Sequence, residues 1–178
     1  MQSETKYSIF RRRQIGSRYI WHVHGEADKP ETILLGHEQY AGQLQKLRTY
    51  ATADRGSQRR PRSPFKVGAL DFEGSGEQYS WIDVFFRDEI HILGLSLDYA
   101  EIDLWWLLAY KRRLHQMSGY EVGSTIFHQA RPPATKHDAC RLSILESFGV
   151  QVQRHSLDNG YSQVYDEVLD GLATHRSG

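Results

Sequence analysis

One cysteine in 178 residues, Cys140, excludes an intrachain disulfide. That fits a reducing compartment, so a cytoplasmic location is expected. No apolar run approaches the roughly 18 residues that span a bilayer. The first residues, Met-Gln-Ser-Glu-Thr-Lys, contain no apolar signal region, so neither a membrane anchor nor a secretion signal is expected. Net charge is also absent: 22 Lys plus Arg balance 22 Asp plus Glu. A neutral chain lacks the general attraction that holds proteins on polyanions, so nucleic acid and membrane are not expected partners. Phosphate loops of the GxGxxG or GxxxxGKS/T kind are missing, because Gly74-Ser75-Gly76 is too short and follows no strand. No GxSxG elbow is present, which removes the support for a serine hydrolase.

What is present suffices for a packed core. Hydrophobic residues make up 39% and aromatics 12%, and a chain of this length can bury about 70% of its unfolded surface. Tyr19 to His24 alternates apolar and polar residues and predicts a strand ending at Gly25, with a second short strand over Thr32 to Leu35. Tyr40, Leu44, Leu47 and Tyr50 recur at helical spacing over residues 37–53. Residues 54–64, with two prolines and four arginines, read as an exposed loop. From residue 78 the pattern predicts helix 78–87, strand 89–95, helix 102–115, strand 122–127, helix 134–148, strand 150–152 and helix 161–172. Gly149 is a natural stop for the helix before it. Such alternation implies an α/β domain with a mostly parallel sheet and helices on both faces. Cys140 falls within a predicted helix and is expected as a small core residue. Trp105 and Trp106 lie on a helix that is apolar on more than one side. That helix either sits between layers or meets another subunit.

Two places offer chemistry. In open α/β sheets ligands bind beyond the carboxyl ends of strands, and Gly94-Leu95-Ser96-Leu97-Asp98 falls at one such end. Gly94 permits close backbone approach, and Ser96 offers a hydroxyl. Asp98 and Asp103 straddle the start of the next helix, where capping and ligand contact are compatible roles. His24-Gly25 is the second place: an imidazole titrating near neutral pH can take a proton from a hydroxyl, and the adjoining glycine leaves one side of it open. Among nine histidines, His22 and His24 are two apart, hence on one face of a strand, but no H-E-x-x-H or C-x-x-C spacing accompanies them. No metal is therefore expected. Arg11, Arg12 and Arg13, and Arg55, Arg59, Arg60 and Arg62, read as solvated charge without aromatic stacking partners.

Three blocks carry a resemblance. Ile20-Trp21-His22-Val23-His24-Gly25, followed by Pro30, Thr32-Ile33-Leu34-Leu35-Gly36 and Tyr40, resembles the middle of bacterial sirtuin-like domains. Ile90 to Leu97, followed by Glu101-Ile102-Asp103-Leu104-Trp105-Trp106-Leu107-Leu108, is similar to their late nucleotide-contacting strand and helix. Leu145 to Val152 resembles the entry to their final strand. The similarity covers residues 5–172.

It implies one partial Rossmann-like domain over 1–178 that binds NAD or a related nucleotide. His24 would be the catalytic base acting on a ribose hydroxyl, and Gly25, Gly94, Ser96, Asp98 and Asp103 would contact the dinucleotide. The implied activity is NAD glycohydrolysis, cleavage of the nicotinamide–ribose bond, in a bacterial antiviral defence effector. The chain lacks the family's Gly-rich first loop and Asn-x-Asp segment, so it matches the C-terminal portion of the family fold. A homo-oligomer or a partner chain supplying the missing half is the arrangement this implies. The alternative is a catalytically inactive binding or assembly module. The zinc-binding cysteines of deacetylating members are absent, so deacetylation is not expected.

Overall fold

Two capping boxes set helix starts along this chain. Ser80 Oγ accepts from the Asp83 backbone N–H while Asp83 Oδ2 accepts from the Ser80 N–H. Thr135 and Asp138 repeat the arrangement. Each satisfies donors that the first helical turn leaves open. In the computed structural model, which describes residues 6–52, 80–118, 121–131, 133–156 and 160–174, the chain is α/β. The chain divides into two compact units: Met1–Asp88 with Tyr99–Leu107, and Glu89–Asp98 with Leu108–Gly178. Helix α3 (Ile102–Ser118) contributes residues to both.

The first unit begins with an antiparallel hairpin of β1 (Arg13–Ile15) and β2 (Arg18–Ile20). Gly16 has φ +60° in its two-residue turn, a conformation that suits the twist of paired strands. The expected strand over Tyr19 to His24 is thus confined to β2 at its start. Beyond Ile20 the chain leaves the hairpin, and the Gly25 N–H closes a turn on the His22 carbonyl at 3.2 Å. His22 and His24 therefore do not share a strand face. The expected strand at Thr32 to Leu35 is also corrected. Pro30–Thr32 forms a 3-10 turn, for which the ring of Pro30 pre-sets φ. Helix α1 (His37–Thr52) follows as the spacing predicts, and α2 (Trp81–Arg87) covers the core end of the expected helix over 78–87. Ile9, Leu47, Ala51, Trp81, Ile82, Phe85 and Phe86 are buried. The Tyr50 hydroxyl donates to the buried Asp83 at 2.7 Å, tying α1 to the cap of α2.

The second unit holds a parallel sheet in the order β3 (Ile90–Ile92), β4 (Thr125–Gln129), β5 (Gln151–Arg154). Helix α4 (Lys136–Ser147) joins β4 to β5, and α5 (Gly160–Thr174) follows. Helix α4 is capped at Phe148 and followed by Gly149, φ +81°. The Gly149 N–H donates to Glu146 O and the Val150 N–H to Leu145 O, so the last carbonyls are satisfied as the chain turns into β5. Phe127, Leu142, Leu145, Val150, Val164 and Val168 are buried.

Cys140 is exposed, not a core residue, because α4 turns Leu142 and Leu145 inward instead. Trp105 and Trp106 are half-buried, between the two readings of that helix. No described helix is long and apolar enough to cross a membrane. The 54–64 loop, with its arginines, and Gly74-Ser75-Gly76 lie outside the described residues.

Candidate functional site

The site in the first unit is built on a close backbone approach. Gly25 has φ +106°, and a Cβ there would lie 2.5 Å from both Ile33 Cα and Thr32 O. The absent side chain therefore makes room for the 32–33 backbone, rather than for one side of the imidazole. The Leu34 N–H then donates to the His24 carbonyl at 3.0 Å, which fixes the residue carrying the ring.

Asp103 meets that ring from the first turn of α3. The His24 Nε2–H donates to Asp103 Oδ2 at 3.0 Å, across 79 residues of sequence. The second carboxylate oxygen, Oδ1, accepts from the Leu104 N–H at 2.9 Å, so the carboxylate is held at both ends. Asp103 is fully buried, whereas the His24 side chain is 32% exposed. Tyr40 packs edge-to-face against the imidazole, with centroids 5.2 Å apart. Glu101 joins the group, and its Oε2 is buried without a hydrogen-bond partner. The Asp103 hydrogen bond raises the His24 pKa above its ordinary value, against burial, and the charges of Asp103 and Glu101 add to the rise. Burial chiefly, then the same two carboxylates, raises Tyr40.

Two kinds of chemistry suit this group. With Nε2 committed to Asp103, the neutral ring carries its lone pair on Nδ1, the nitrogen that can take a proton from a substrate hydroxyl. His24, Glu101 and Asp103 could also supply three ligand atoms, all within 4.8 Å of one another, to a cation. The 3.0 Å N···O contact is that of a proton-bridged pair, so a cation would have to displace that proton.

Of the residues singled out from sequence, His24, Gly25 and Asp103 come together in the first unit. Gly94, Ser96 and Asp98 belong to the second. There Gly94 has φ +67° and Leu97 φ +49°, with Leu97 buried and Ser96 and Asp98 exposed. The turn is thus built around a buried leucine in a strained backbone conformation. Sequence reasoning missed Glu101 as a site residue. The signal was the Glu-x-Asp spacing at a helix start, which sets two acids near one N-terminus.

The arginines at the front of the chain are absorbed by the fold. Arg13 donates to Glu26 at 2.9 Å and to Asp28, and Arg11 lies 3.9 Å from the same buried Glu26. Arg12 sits over the Tyr19 ring, 4.4 Å from its centroid, an aromatic partner not foreseen from sequence.

No family model matches the chain, and no match was found among curated proteins or solved structures.

Proposed function

We propose that this chain is a sirtuin-like NAD-binding domain that cleaves the nicotinamide–ribose bond, with His24 as general base. One observation supports the catalytic half of this reading: a partly exposed imidazole whose Nε2 is held by a buried carboxylate. Nδ1 of His24 takes the proton of a ribose hydroxyl or of water. Asp103 stabilises the imidazolium that forms, and the Glu101 carboxylate adds negative potential where an oxocarbenium-like transition state develops positive charge. NAD as substrate rests on the sequence resemblance alone. So do dinucleotide contacts at Gly25, Gly94, Ser96 and Asp98, a Rossmann-like extension of the small parallel sheet, an oligomer or partner chain completing the site, and a cytoplasmic role in antiviral defence.

The test is nicotinamide release from NAD by the full chain. Wild-type protein releases nicotinamide, and His24→Ala loses about 10²–10⁴-fold of the rate with an unchanged circular dichroism spectrum. Absence of both release and any NAD-dependent rise in melting temperature refutes the proposal. A second reading, an inactive assembly module, draws on the half-buried Trp105 and Trp106 and on Tyr99, 47% exposed and stacked on Trp105. Self-association that Trp106→Lys abolishes, without NAD turnover, selects it.

A further inference from the structure

The second unit carries a row of titratable groups that the proposed function does not use. Side chains alternate between sheet faces, so Glu89 and His91, two apart, lie on one face. His91 pairs with Ile126, which puts His128, two residues on, on that same face. His128 pairs with Gln153, which does the same for His155, whose N–H extends the ladder by donating to Gln129 O at 2.9 Å. The four residues form one diagonal row across all three strands.

The row is continuously hydrogen-bonded. His91 Nε2 lies 2.9 Å from Glu89 Oε1, His91 Nδ1 lies 2.9 Å from His128 Nε2, and His128 Nδ1 lies 2.9 Å from His155 Nε2. The ring planes are within 22° and 25° of one another and the centroids are 5.2 Å apart. That separation, with nitrogens in contact, means rings in line, head to tail, rather than face to face. At the far end the Ser124 hydroxyl donates to Glu89 Oε2 at 2.7 Å.

The geometry points to a proton-transfer site: Glu89, His91, His128 and His155 form a line that carries protons between His155 and the Glu89–Ser124 pair. With all three rings neutral, the arrangement fixes where each proton sits. Glu89 only accepts, so His91 places its single proton on Nε2 and accepts at Nδ1. His128 must then donate from Nε2, and so must His155. Three neutral rings supply the three protons the row needs, and Nδ1 of His155 is left as its open acceptor.

A proton taken there from an external donor frees the Nε2 proton of His155 to His128 Nδ1. The His128 Nε2 proton passes to His91 Nδ1, and the His91 Nε2 proton passes to Glu89. Each step breaks one Nε2–H bond and forms one Nδ1–H bond, and the last forms the O–H of a neutral carboxyl group. No electron changes hands.

His128 suits the middle position. It is 6% exposed, and burial first, then the two flanking rings, lowers its pKa, which disfavours a charged ring at the middle of the line. Ser124, which donates to Glu89, also lines a cleft of about 300 Å³ with Lys111, Arg112 and Thr125.

The line is read by imidazole nitrogen NMR on the full chain, independently of any NAD activity. All three rings, when neutral, are expected as Nε2–H tautomers. Nitrogen–nitrogen couplings are expected across the His91–His128 and His128–His155 hydrogen bonds. Proton uptake at His155 should shift the His91 resonances, and His128→Asn should abolish that response. Mixed tautomers, absent couplings, or three rings titrating independently overturn the inference. The wild-type measurements decide it even where the variant does not fold.

Discussion

Replacing Asp103 by asparagine separates what its charge does from what its shape does. The carboxylate accepts two hydrogen bonds at once, from His24 Nε2–H and from the Leu104 N–H. An amide has one oxygen. If that oxygen keeps the Leu104 N–H, the amide NH2 faces His24 and donates to Nε2. The imidazole must then carry its proton on Nδ1, the nitrogen needed as base. A carboxylate-to-amide change behind a catalytic histidine removes about 10⁴ in rate elsewhere by this wrong-tautomer effect. A loss of about 10²–10⁴ here corresponds to roughly 3–5 kcal/mol of transition-state stabilisation.

The stability loss is smaller. A charged hydrogen bond is exchanged for a neutral one, a difference of about 1 kcal/mol, and solvent screens it further because the ring is 32% exposed. A melting shift of a few degrees at most is expected. The pH dependence has a definite sign. The raised His24 pKa gives stability that is fully present below its ordinary value of 6.5 and is lost as pH rises through the folded value. In the proposed reaction the neutral ring is the base, so kcat/KM is expected to rise over that same window. In Asp103→Asn the largest cause of the raised pKa is gone while burial remains, so any residual activity rises at lower pH. Steady-state nicotinamide release measured from pH 5 to 9, beside thermal melts, reads both effects. A variant with the wild-type rate and pH profile refutes the dyad.

Other substitutions probe the scaffold. Gly25→Ala adds a Cβ at 2.5 Å from the 32–33 backbone in a positive-φ conformation, a loss on the order of 3 kcal/mol; an unchanged urea midpoint would contradict the close approach. Glu26→Gln leaves the buried Arg11 side chain against a neutral amide at a position 3% exposed, and a lower urea midpoint is expected. Among the caps, exposed Thr135→Ala is expected to lower stability by about 1 kcal/mol. Ser80→Ala should lower it by more: both hydroxyls also donate to the carboxylate of their box, but Ser80 is fully buried. Equal losses from the two caps would show that burial does not matter there.

The legibility of the fold follows how local its causes are. Helices α1, α3, α4 and α5 are set by apolar spacing and by end signals such as Phe148-Gly149, so they stand where the spacing puts them. The β3, β4 and β5 segments could be placed because helices alternate with them. Residues 13–35 were illegible for the opposite reason. The strands of the hairpin at Gly16-Ser17 are exposed on both faces and show no burial alternation. The segment after it is shaped by single distant contacts, Gly25 against Thr32 and Ile33, and Leu34 on His24. The candidate site divides the same way. A histidine before a glycine is visible in sequence, and so is an acid at a helix start. The bond joining His24 to Asp103 spans 79 residues and is not. The histidine row left a readable trace, Glu89-Ile90-His91 alternating on a predicted strand with His128 and His155 near the ends of the next two, but it needs the strand registers to become a line.

The two histidine sites show why counting histidines says little about chemistry. His24 meets one buried carboxylate and a second nearby, so its surroundings favour the imidazolium and raise its pKa. His128 meets two imidazoles, so burial and the neighbouring rings favour its neutral form. Both rings are hydrogen-bonded and withdrawn from solvent to some degree, and burial acts on both in the same direction. The partner decides the sign. Beside a carboxylate, a histidine holds a proton more firmly, as the proposed base does. Buried between two imidazoles, it holds one less firmly, as the proposed proton line requires.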